Sequence, residues 1–417
     1  MNEISIVTDF AGAQLGTPAN PLVAKTSADF DKIMRSHSSL DQLAIHLNDG
    51  TFYTAGTHEW GDPNDYTQYP GFRIGRQWTF DSGTNATLAW DVDAVPDSAI
   101  SDTPICLLLS TSACLTSGSL SPQAVWDLQP RGQAVRNLNI DLQFSKAVDR
   151  WKSKNAKLKI AGAMLAGHEA SIEKVHITNI GALGVENFPL LIVGAIGSWD
   201  RDLIAQLDPN KYIFDANIPD VECSHITDCV ADGYDELDSN NQVTVRMIAG
   251  NIGERTPGEW IQHMRAYAYQ SGNNTIATGK NFVQAHTIYQ VLRGSIANNK
   301  SQGAAIGVYG DFDSTTNLNI SLNQFLTCDY GIRLLLSPTG PGFEQFSHEN
   351  YTIGPNMITS SGPNVSLDTC GPSTPTRYIR NFSIDSALSL EAIGATNITR
   401  TGAIAKKGCN PFSFLHR

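Results

Sequence analysis

Three side chains at the end of one predicted strand have the types and spacing of a polar reaction site. Asp311 and Asp313 follow the apolar run that ends at Tyr309. Residues two apart on an extended chain point to the same side, so all three side chains are expected to face one way. A carboxylate can transfer a proton or hold a metal ion, and a tyrosine can stack on a sugar ring or donate a proton. We therefore predict Tyr309, Asp311 and Asp313 as catalytic residues.

Arg333 is the fourth candidate, and it lies one apparent repeat later. From Ile306 to Ile332 is 26 residues. Strands that stack at this repeat would lie ~4.8 Å apart, which places Arg333 close to the register of Gly307 and within reach of Asp311. Its guanidinium would neutralise negative charge at the site. The alternative is an interstrand ion pair on a solvated face.

A second set, predicted to bind substrate, consists of Asp232, Asp235 and His286. The two aspartates belong to an acidic segment, residues 228–238, whose carboxylates could hold Ca²⁺ or supply an acid/base pair. The same segment can also be read as an ordinary solvated turn, because Gly, Asn and Asp are frequent in loops. His286 could act as a base, although a lone histidine on a strand is more often structural. The sequence defines no metal ligands.

The elements that would position these residues are short and β-rich. Of the 417 residues, 41% are hydrophobic and 17% are charged, and 35 are glycine. Short β-branched runs, each followed by Asn, Asp or Gly, recur along the chain, as in residues 135–144, 318–332 and 379–388. A recurring period of 20–50 residues indicates a solenoid, in which each coil buries its core against its neighbours.

Local signals place helices at three points in this pattern. Thr26 and Asp29 fit a capping box that begins a short helix, and Asp49-Gly50 forms a strand–turn–strand unit after it. Residues 256–270 are predicted as a second helix, with Thr256 at the N-cap. A short helix is also predicted at 198–207. These signals predict a single domain. It consists of an N-terminal cap (1–42), coils (43–400) with excursions near 97–130, 198–212 and 254–272, and a C-terminal tail or cap (401–417).

Turn residues and cysteines give further expectations. Asparagines at equivalent turns of stacked coils can form side-chain ladders, and the candidates are Asn137, Asn179, Asn298 and Asn323. The seven cysteines include no CxxC pair, so a zinc site is not expected. Cys223 and Cys229 could form a local disulfide, but buried reduced thiols are favoured.

Charge and hydropathy exclude several classes of partner. The net charge is −12 and no basic run occurs, so nucleic-acid binding is not expected. No stretch approaches the ~20 apolar residues that cross a bilayer, so membrane insertion is not expected either. The N-terminus lacks the pattern of a signal peptide, which indicates either a cytoplasmic protein or one from which a leader has been removed.

Several segments together resemble bacterial right-handed parallel β-helix proteins of the pectate-lyase-like superfamily. They are VTDF, SADFDKIM, IHLNDGTFYTAG and IGVYGDFDSTTNLNISLNQF with the later GIRLLL, and the resemblance extends from about residue 5 to residue 400. It implies an all-β fold, a three-sheet solenoid with a helical N-terminal cap and a lateral groove. Most characterised members of the superfamily cleave polysaccharides by hydrolysis or elimination, and others are adhesins or tailspikes.

The catalytic motifs of the polygalacturonase-type hydrolases are absent. The chain has no NTD, GHG or RIK motif, and Gly167-His168 and Gly331-Ile332-Arg333 are only fragments of such motifs. The expected function is therefore a carbohydrate-active β-helix that binds, and as a hydrolase or lyase cleaves, a polysaccharide. The alternative is a non-catalytic carbohydrate-binding, adhesin-like or structural β-helix. A homo-oligomer, such as a trimer, is compatible with either function.

Overall fold

A computed structural model describes a series of short strands and two α-helices. The described residues are 17, 19–37, 43–56, 72–73, 78–83, 85–95, 97, 105–109, 132–151, 160–166, 169–183, 191–194, 225–231, 234–237, 259–264, 267–276, 284–289, 292–310, 315–336, 347–375 and 377–402. Within them the chain passes repeatedly through three parallel sheets, which we call A, B and C. This confirms the predicted all-β solenoid.

The strands of each sheet come from successive coils. Sheet A contains β1 (Leu22–Ala24), β2 (Leu43–Leu47), β5 (Trp78–Asp81), β8 (Ala134–Arg136), β11 (Ser171–Glu173), β15 (His225–Thr227), β19 (Tyr267–Gly272), β22 (Leu292–Ala297), β25 (Thr315–Ser321), β28 (Ser347–Glu349), β29 (Thr352–Ile353), β32 (Tyr378–Asp385) and β34 (Thr396–Thr401). Sheet B contains β3 (Gly50–Thr54), β6 (Ala86–Trp90), β9 (Asn139–Asp141), β12 (His176–Thr178), β16 (Val230–Ala231), β20 (Thr275–Ile276), β23 (Lys300–Gln302), β26 (Gln324–Cys328) and β30 (Met357–Ser360). Sheet C contains β4 (Phe72–Arg73), β7 (Ile105–Leu109), β10 (Ile160–Ala166), β14 (Leu191–Gly194), β18 (Glu259–Met264), β21 (Gln284–Tyr289), β24 (Ile306–Gly310), β27 (Tyr330–Leu335), β31 (Val365–Asp368) and β33 (Leu390–Ile393). A separate pair consists of β13 (Ile180–Leu183) and β17 (Tyr234–Leu237).

The hydrophobic core runs along the axis between the three sheets. In sheet C, Val308, Ile332 and Val365 are register partners in successive coils, and all three are fully buried. Alternate residues of a strand face opposite sides of its sheet, so the residues between them face outward. Stacked columns of like side chains therefore build the core, and the intervening columns form the outer faces.

The helix α1 (Ser27–His37) covers the N-terminal end of the solenoid. The amide of Asp29 donates to the Thr26 hydroxyl (3.1 Å), and the amide of Thr26 donates to the Asp29 carboxylate (3.1 Å). Phe30 is fully buried and packs edge-on against Phe52, with 6.3 Å between ring centroids. The predicted capping box and cap are thus confirmed.

Replacing Thr26 with alanine is expected to lower the free energy of unfolding by about 1 kcal/mol, because the Asp29 amide loses its acceptor. Urea titration of the variant would measure this effect. The control is Lys32→Ala on an exposed position of the same helix, which should change stability by less than about 0.5 kcal/mol. Equal stabilities of the two variants would show that the cap contributes nothing.

The turn from sheet A to sheet B carries a buried asparagine ladder. It comprises Asn274, Asn299, Asn323 and Asn356, each from a successive coil. The residue before each of the first three has a positive φ: Asn273 (57°), Asn298 (58°) and Leu322 (59°). Of the predicted ladder residues, Asn323 is confirmed. Asn137 and Asn298 instead occupy the left-handed position of this turn, and Asn179 lies between sheet B and β13.

Cys229 takes the ladder position in the coil before Asn274. Its backbone amide donates to the Asn274 side-chain oxygen (3.0 Å), and its thiol donates to the Thr227 carbonyl (3.3 Å). Burial raises the pKa of this thiol to about 12. The described cysteines Cys106, Cys229, Cys328 and Cys370 are all free thiols, as predicted, whereas Cys223 lies outside the described residues.

The predicted helix at 256–270 is wrong. Of its residues, 259–264 form β18 and 267–270 lie in β19, and each of these strands pairs with strands on both sides. Parallel neighbours supply hydrogen bonds to both edges of a strand, and such tertiary pairing overrides local helix propensity. The described residues of the predicted excursion near 254–272 therefore belong to sheets A and C.

Two other predicted boundaries need correction, and one lies outside the described residues. The excursion near 97–130 contains β7, which pairs with β10 and buries Leu107 and Leu108. The segment 1–42 is not only a cap, because β1 within it pairs with β2. Both β1 and β7 are short apolar runs whose hydrogen bonds are made with a strand of a neighbouring coil. The region 198–212, with its predicted helix, is not among the described residues.

A helix that the sequence analysis missed lies between β9 and β10. The helix α2 (Phe144–Trp151) buries Phe144, Ala147, Val148 and Trp151. These residues have the i, i+3, i+4, i+7 spacing of an amphipathic helix, so the signal was present. None of the helices in the described part of the chain is long and apolar enough to cross a membrane.

Candidate functional site

The outer face of sheet C brings together polar side chains from four successive strands. In the register of the sheet, Tyr309 pairs with Arg333, Arg333 with Ser366, and Ser366 with Glu391. Neighbouring strands are ~4.8 Å apart, so these residues form a column about 14 Å long. We call these four residues the sheet C column.

Arg333 is the central residue of the column. Its guanidinium carbon lies 4.4 Å from the centre of the Tyr330 ring, in cation–π geometry. Its Nε and Nη1 atoms are buried and have no hydrogen-bond partner among the described residues. Buried N–H groups that lack acceptors are unfavourable, so this position favours an anionic or strongly polar group.

Two carboxylates lie on the same outer face, one and two coils after Arg333. Glu391 is exposed and accepts a hydrogen bond from the Ser366 hydroxyl (3.4 Å). Asp368 is partly exposed, and its Oδ1 accepts from the Cys370 amide (2.7 Å). Asp368 and Glu391 are diagonal neighbours in the sheet, a relation that places Cα atoms about 7–8 Å apart. The face therefore combines a cation with two carboxylates.

Tyr309 faces outward but is covered. It is only 4% exposed and packs in a small apolar cluster with Ile306 and Leu335, separate from the main core. Tyr330 and Cys370 pack against this cluster. The ring of Tyr309 thus packs beneath the part of the outer face that carries Arg333. It has little exposed surface with which to stack on a ligand.

The register of Arg333 corrects the sequence-based prediction. We expected Arg333 near the register of Gly307, but its partner is Tyr309. Strands in a solenoid align by side-chain packing and not by a fixed residue count, so a prediction from the 26-residue spacing was displaced by two residues. Asp311 and Asp313 lie outside the described residues, and their predicted roles stay predictions.

The prediction for His286 as a substrate-binding residue is wrong. His286 pairs with Val308 in an inward-facing column of sheet C and is 1% exposed. Its ring lies 6.4 Å from that of Phe325, which comes from sheet B across the interior. Burial lowers the pKa of His286 to about 3, so its imidazole is neutral and part of the core.

No described residue of the acidic segment belongs to the sheet C column. Asp232 lies outside the described residues. The backbone of Asp235 belongs to β17, which pairs with β13 in the separate two-stranded sheet. Among the residues that are described, no group of three or more His, Cys, Asp or Glu side chains is placed to hold a metal ion. The calcium prediction therefore has no described ligand set.

Sequence reasoning missed Ser366, Asp368 and Glu391. They come from β31 and β33, which carry no catalytic motif and lie 33 or more residues after Arg333. Only the register of the parallel sheet shows that they share a face with Arg333. The alternation of Val365 and Leu367 with polar residues was the available signal, since it marks a strand with one polar face.

These features define a parallel β-helix with a polar outer face on sheet C. No protein-family model and no curated protein matches the chain. Solved structures do match. An endo-xylogalacturonan hydrolase from Aspergillus tubingensis is similar over 93% of this chain and 93% of its own, with a TM-score of 0.50 and 11% sequence identity.

Two further similar structures are an adhesin and a tailspike protein. PfbA, a surface adhesin of Streptococcus pneumoniae, covers 92% of each chain at 9% identity, with a TM-score of 0.43. A tailspike protein mutant of E. coli bacteriophage HK620 covers 94% of this chain and 55% of its own at 9% identity, with a TM-score of 0.48. Identities this low bear on architecture alone. The chain has the right-handed parallel β-helix fold.

Proposed function

We propose that this protein binds a polysaccharide along the outer face of sheet C and cleaves it there. The observation that carries the proposal is the partly exposed Arg333, whose guanidinium has two nitrogen atoms without a hydrogen-bond partner among the described residues and lies on a face that also holds Asp368 and Glu391. A repeating polymer suits a face built from a repeating coil. Arginine binds carboxylate or sulfate groups in bidentate fashion, so a polysaccharide with anionic groups fits best.

Two reaction types are consistent with these groups. In hydrolysis, Asp368 and Glu391 would act as acid and base, and a carboxylate separation of ~6.5–9.5 Å is typical of inverting enzymes. In elimination, Arg333 would neutralise the charge of a uronate, and Ca²⁺ held by carboxylates such as Asp311 and Asp313 would assist. Both remain part of the proposal.

A non-catalytic binding protein is the second candidate, and the burial of Tyr309 favours it. A residue that is 4% exposed cannot donate a proton to a substrate without rearrangement, so one of the four predicted catalytic residues is out of reach. In that case the same face would bind a carbohydrate without cleaving it, as a monomer or within a homo-oligomer such as a trimer.

Replacing Arg333 with glutamine is expected to weaken polysaccharide binding by about tenfold or more, because a charge-assisted hydrogen bond is lost. The purified protein would be incubated with neutral and acidic polysaccharides, with and without Ca²⁺. Affinity, new reducing ends and the ultraviolet absorbance of unsaturated products would be followed. Reducing ends without absorbance indicate hydrolysis, both signals indicate elimination, and binding alone indicates the non-catalytic candidate.

The matched control is Arg136→Gln. Arg136 is also a partly exposed arginine on a strand, but it lies on sheet A and pairs with Glu173 (3.2 Å). Its replacement should leave polysaccharide binding unchanged. If Arg333→Gln and Arg136→Gln bind like the wild type, or if the wild type binds none of the polymers, the proposed function is wrong.

A further inference from the structure

A chain of buried polar groups lies inside the solenoid behind the sheet C column. His348 Nδ1 is 3.1 Å from the Tyr351 hydroxyl, and His348 Nε2 is 3.3 Å from the Leu335 carbonyl oxygen. The Tyr351 hydroxyl also accepts a hydrogen bond from Thr315. His348 and Thr315 are fully buried, and Tyr351 is 1% exposed.

The partners determine the protonation of His348. A carbonyl oxygen can only accept, so Nε2 must carry the proton that it donates to Leu335. Nδ1 is then the unprotonated nitrogen and accepts from the Tyr351 hydroxyl. Hydrogen bonds therefore run in one direction, from Thr315 through Tyr351 and His348 to Leu335, and they require a neutral imidazole.

These hydrogen-bonded groups connect sheet A to the carboxyl ends of two strands of sheet C. Thr315 begins β25 and His348 lies in β28, both in sheet A, whereas Leu335 ends β27. The other strand is β24, which ends at Gly310. A Cβ added to Gly310 would lie only 3.2 Å from Cε1 of His348, so the imidazole packs directly against this strand end. Gly310 follows Tyr309, and Leu335 lies two residues after Arg333.

The aromatic rings keep this arrangement rigid. Tyr351 stacks on Phe382 with 4.6 Å between centroids and a 7° angle between planes, and it meets the His348 ring edge-on at 5.9 Å. Its hydroxyl therefore has a fixed position opposite Nδ1. A rigid donor and acceptor on either side of an imidazole leave its ring a single orientation.

We infer that His348 is a positioning residue for the outer face of sheet C, holding the carboxyl ends of β24 and β27 so that Tyr309 and Arg333 keep their register. The inference deepens the proposed function and rests on it for its biological meaning. The placement of the strand ends themselves can be tested without any ligand. His348 acts on this face through the Leu335 carbonyl and the strand end at Gly310.

The surroundings of His348 give this role a pH dependence. Tyr351 is the titratable side chain that faces it, and burial raises the pKa of that phenol, so it stays neutral. Burial lowers the pKa of His348 to about 4, partly offset by the hydrogen bond to Leu335, and no charged group contributes to the shift. Protonation of Nδ1 in acid would remove the acceptor of the Tyr351 hydroxyl.

The test compares hydrogen exchange in His348→Leu with that in His286→Leu, a matched control at another buried histidine. The reporter is the Leu336 amide, which donates to the Asp368 carbonyl at the end of β27 (2.9 Å). In His348→Leu this amide, with the end of β24, should exchange about tenfold to a hundredfold faster than in the control, because the Leu335 carbonyl is left buried without its donor. His348→Gln, whose amide can donate to Leu335, should restore slow exchange.

Equal exchange at these strand ends in the two leucine variants would overturn the inference. If His348→Leu does not fold, Tyr351→Phe takes its place, since it removes the donor to Nδ1 and keeps the ring. It should also accelerate exchange at Leu336, and unchanged exchange would again overturn the inference. Polysaccharide affinity is measured in parallel. Absence of binding in the wild type defeats the proposed function, whereas the exchange data still decide the role of His348 in positioning the strand ends.

Discussion

Asn299→Ala is expected to lower the free energy of unfolding by about 4 kcal/mol, because it interrupts the buried ladder in the middle. The Asn299 oxygen accepts from the Asn274 backbone amide (3.1 Å) and from the Asn274 side-chain amide (2.9 Å). The Asn299 amide donates to the Asn323 oxygen (3.0 Å). Each buried group left without a partner costs roughly 1–3 kcal/mol. Chemical denaturation of the variant would measure the loss.

The neighbouring residue provides the control. Asn298 is exposed and has a φ of 58°, which glycine adopts easily. Asn298→Gly should therefore change stability by no more than about 1 kcal/mol. A loss in Asn299→Ala no larger than that in Asn298→Gly would mean that the ladder is not the source of rigidity at this turn.

The pair Asn298 and Asn299 also shows how far the sequence could predict these turns. The sequence predicted asparagines at equivalent turns of stacked coils, and asparagines do occupy the turn from sheet A to sheet B. It could not decide which of two adjacent asparagines enters the ladder. That choice depends on the backbone, because the residue with positive φ points outward and the next residue points into the interior. Cys229 fills the same position in its coil, and a polarity pattern does not predict a thiol there.

Helices illustrate a similar limit. The capping box at Thr26 and Asp29 is local, and the sequence predicted it correctly. The segment 256–270 carries equally local helix signals, yet its residues form strands because neighbours on both sides pair with them. Tertiary pairing outweighs propensity where a coil must close the ladder of the next coil.

The candidate site was predictable only in part. The sequence identified Arg333 and Tyr309 and placed them on adjacent strands, which the structure confirms. It could not fix their register, and the partners of Arg333 further along the sheet depend on that register. Only the register of β27, β31 and β33 shows that Ser366 and Glu391 lie on the same face as Arg333. His286 was assigned outward because its neighbours in sequence do not reveal which of two alternating faces is the interior.

Acidification is expected to destabilise the protein between pH 6.5 and pH 4, by several kcal/mol. Burial lowers the pKa of His286 from 6.5 to about 3 and that of His348 from 6.5 to about 4. Below pH 6.5 these histidines bind protons in the unfolded chain but not in the folded one, so unfolding takes up protons and stability falls as the pH falls. One pKa unit corresponds to about 1.4 kcal/mol, so each histidine contributes on the order of 3 kcal/mol once the pH has fallen to about 4.

The pH range separates this effect from that of the carboxylates. Burial alone would raise the pKa of Glu173, but the hydrogen bond from His225 and the charge of Arg136 lower it below 4.5. The stability that this carboxylate contributes is therefore lost only below about pH 4.5. Between pH 6.5 and 5 the slope of unfolding free energy against pH should correspond to uptake of up to about two protons.

Variants of the two histidines assign the protons. In His286→Leu the slope near pH 5 should fall by about half, because one of the two buried imidazoles is gone. His348→Gln should lower it by a similar amount and keep a donor to the Leu335 carbonyl. An unfolding free energy of the wild type that stays constant from pH 6.5 to pH 5 would contradict this account. Both histidines are neutral in the folded core and can be protonated in the unfolded chain, so the unfolding free energy must fall as the pH falls.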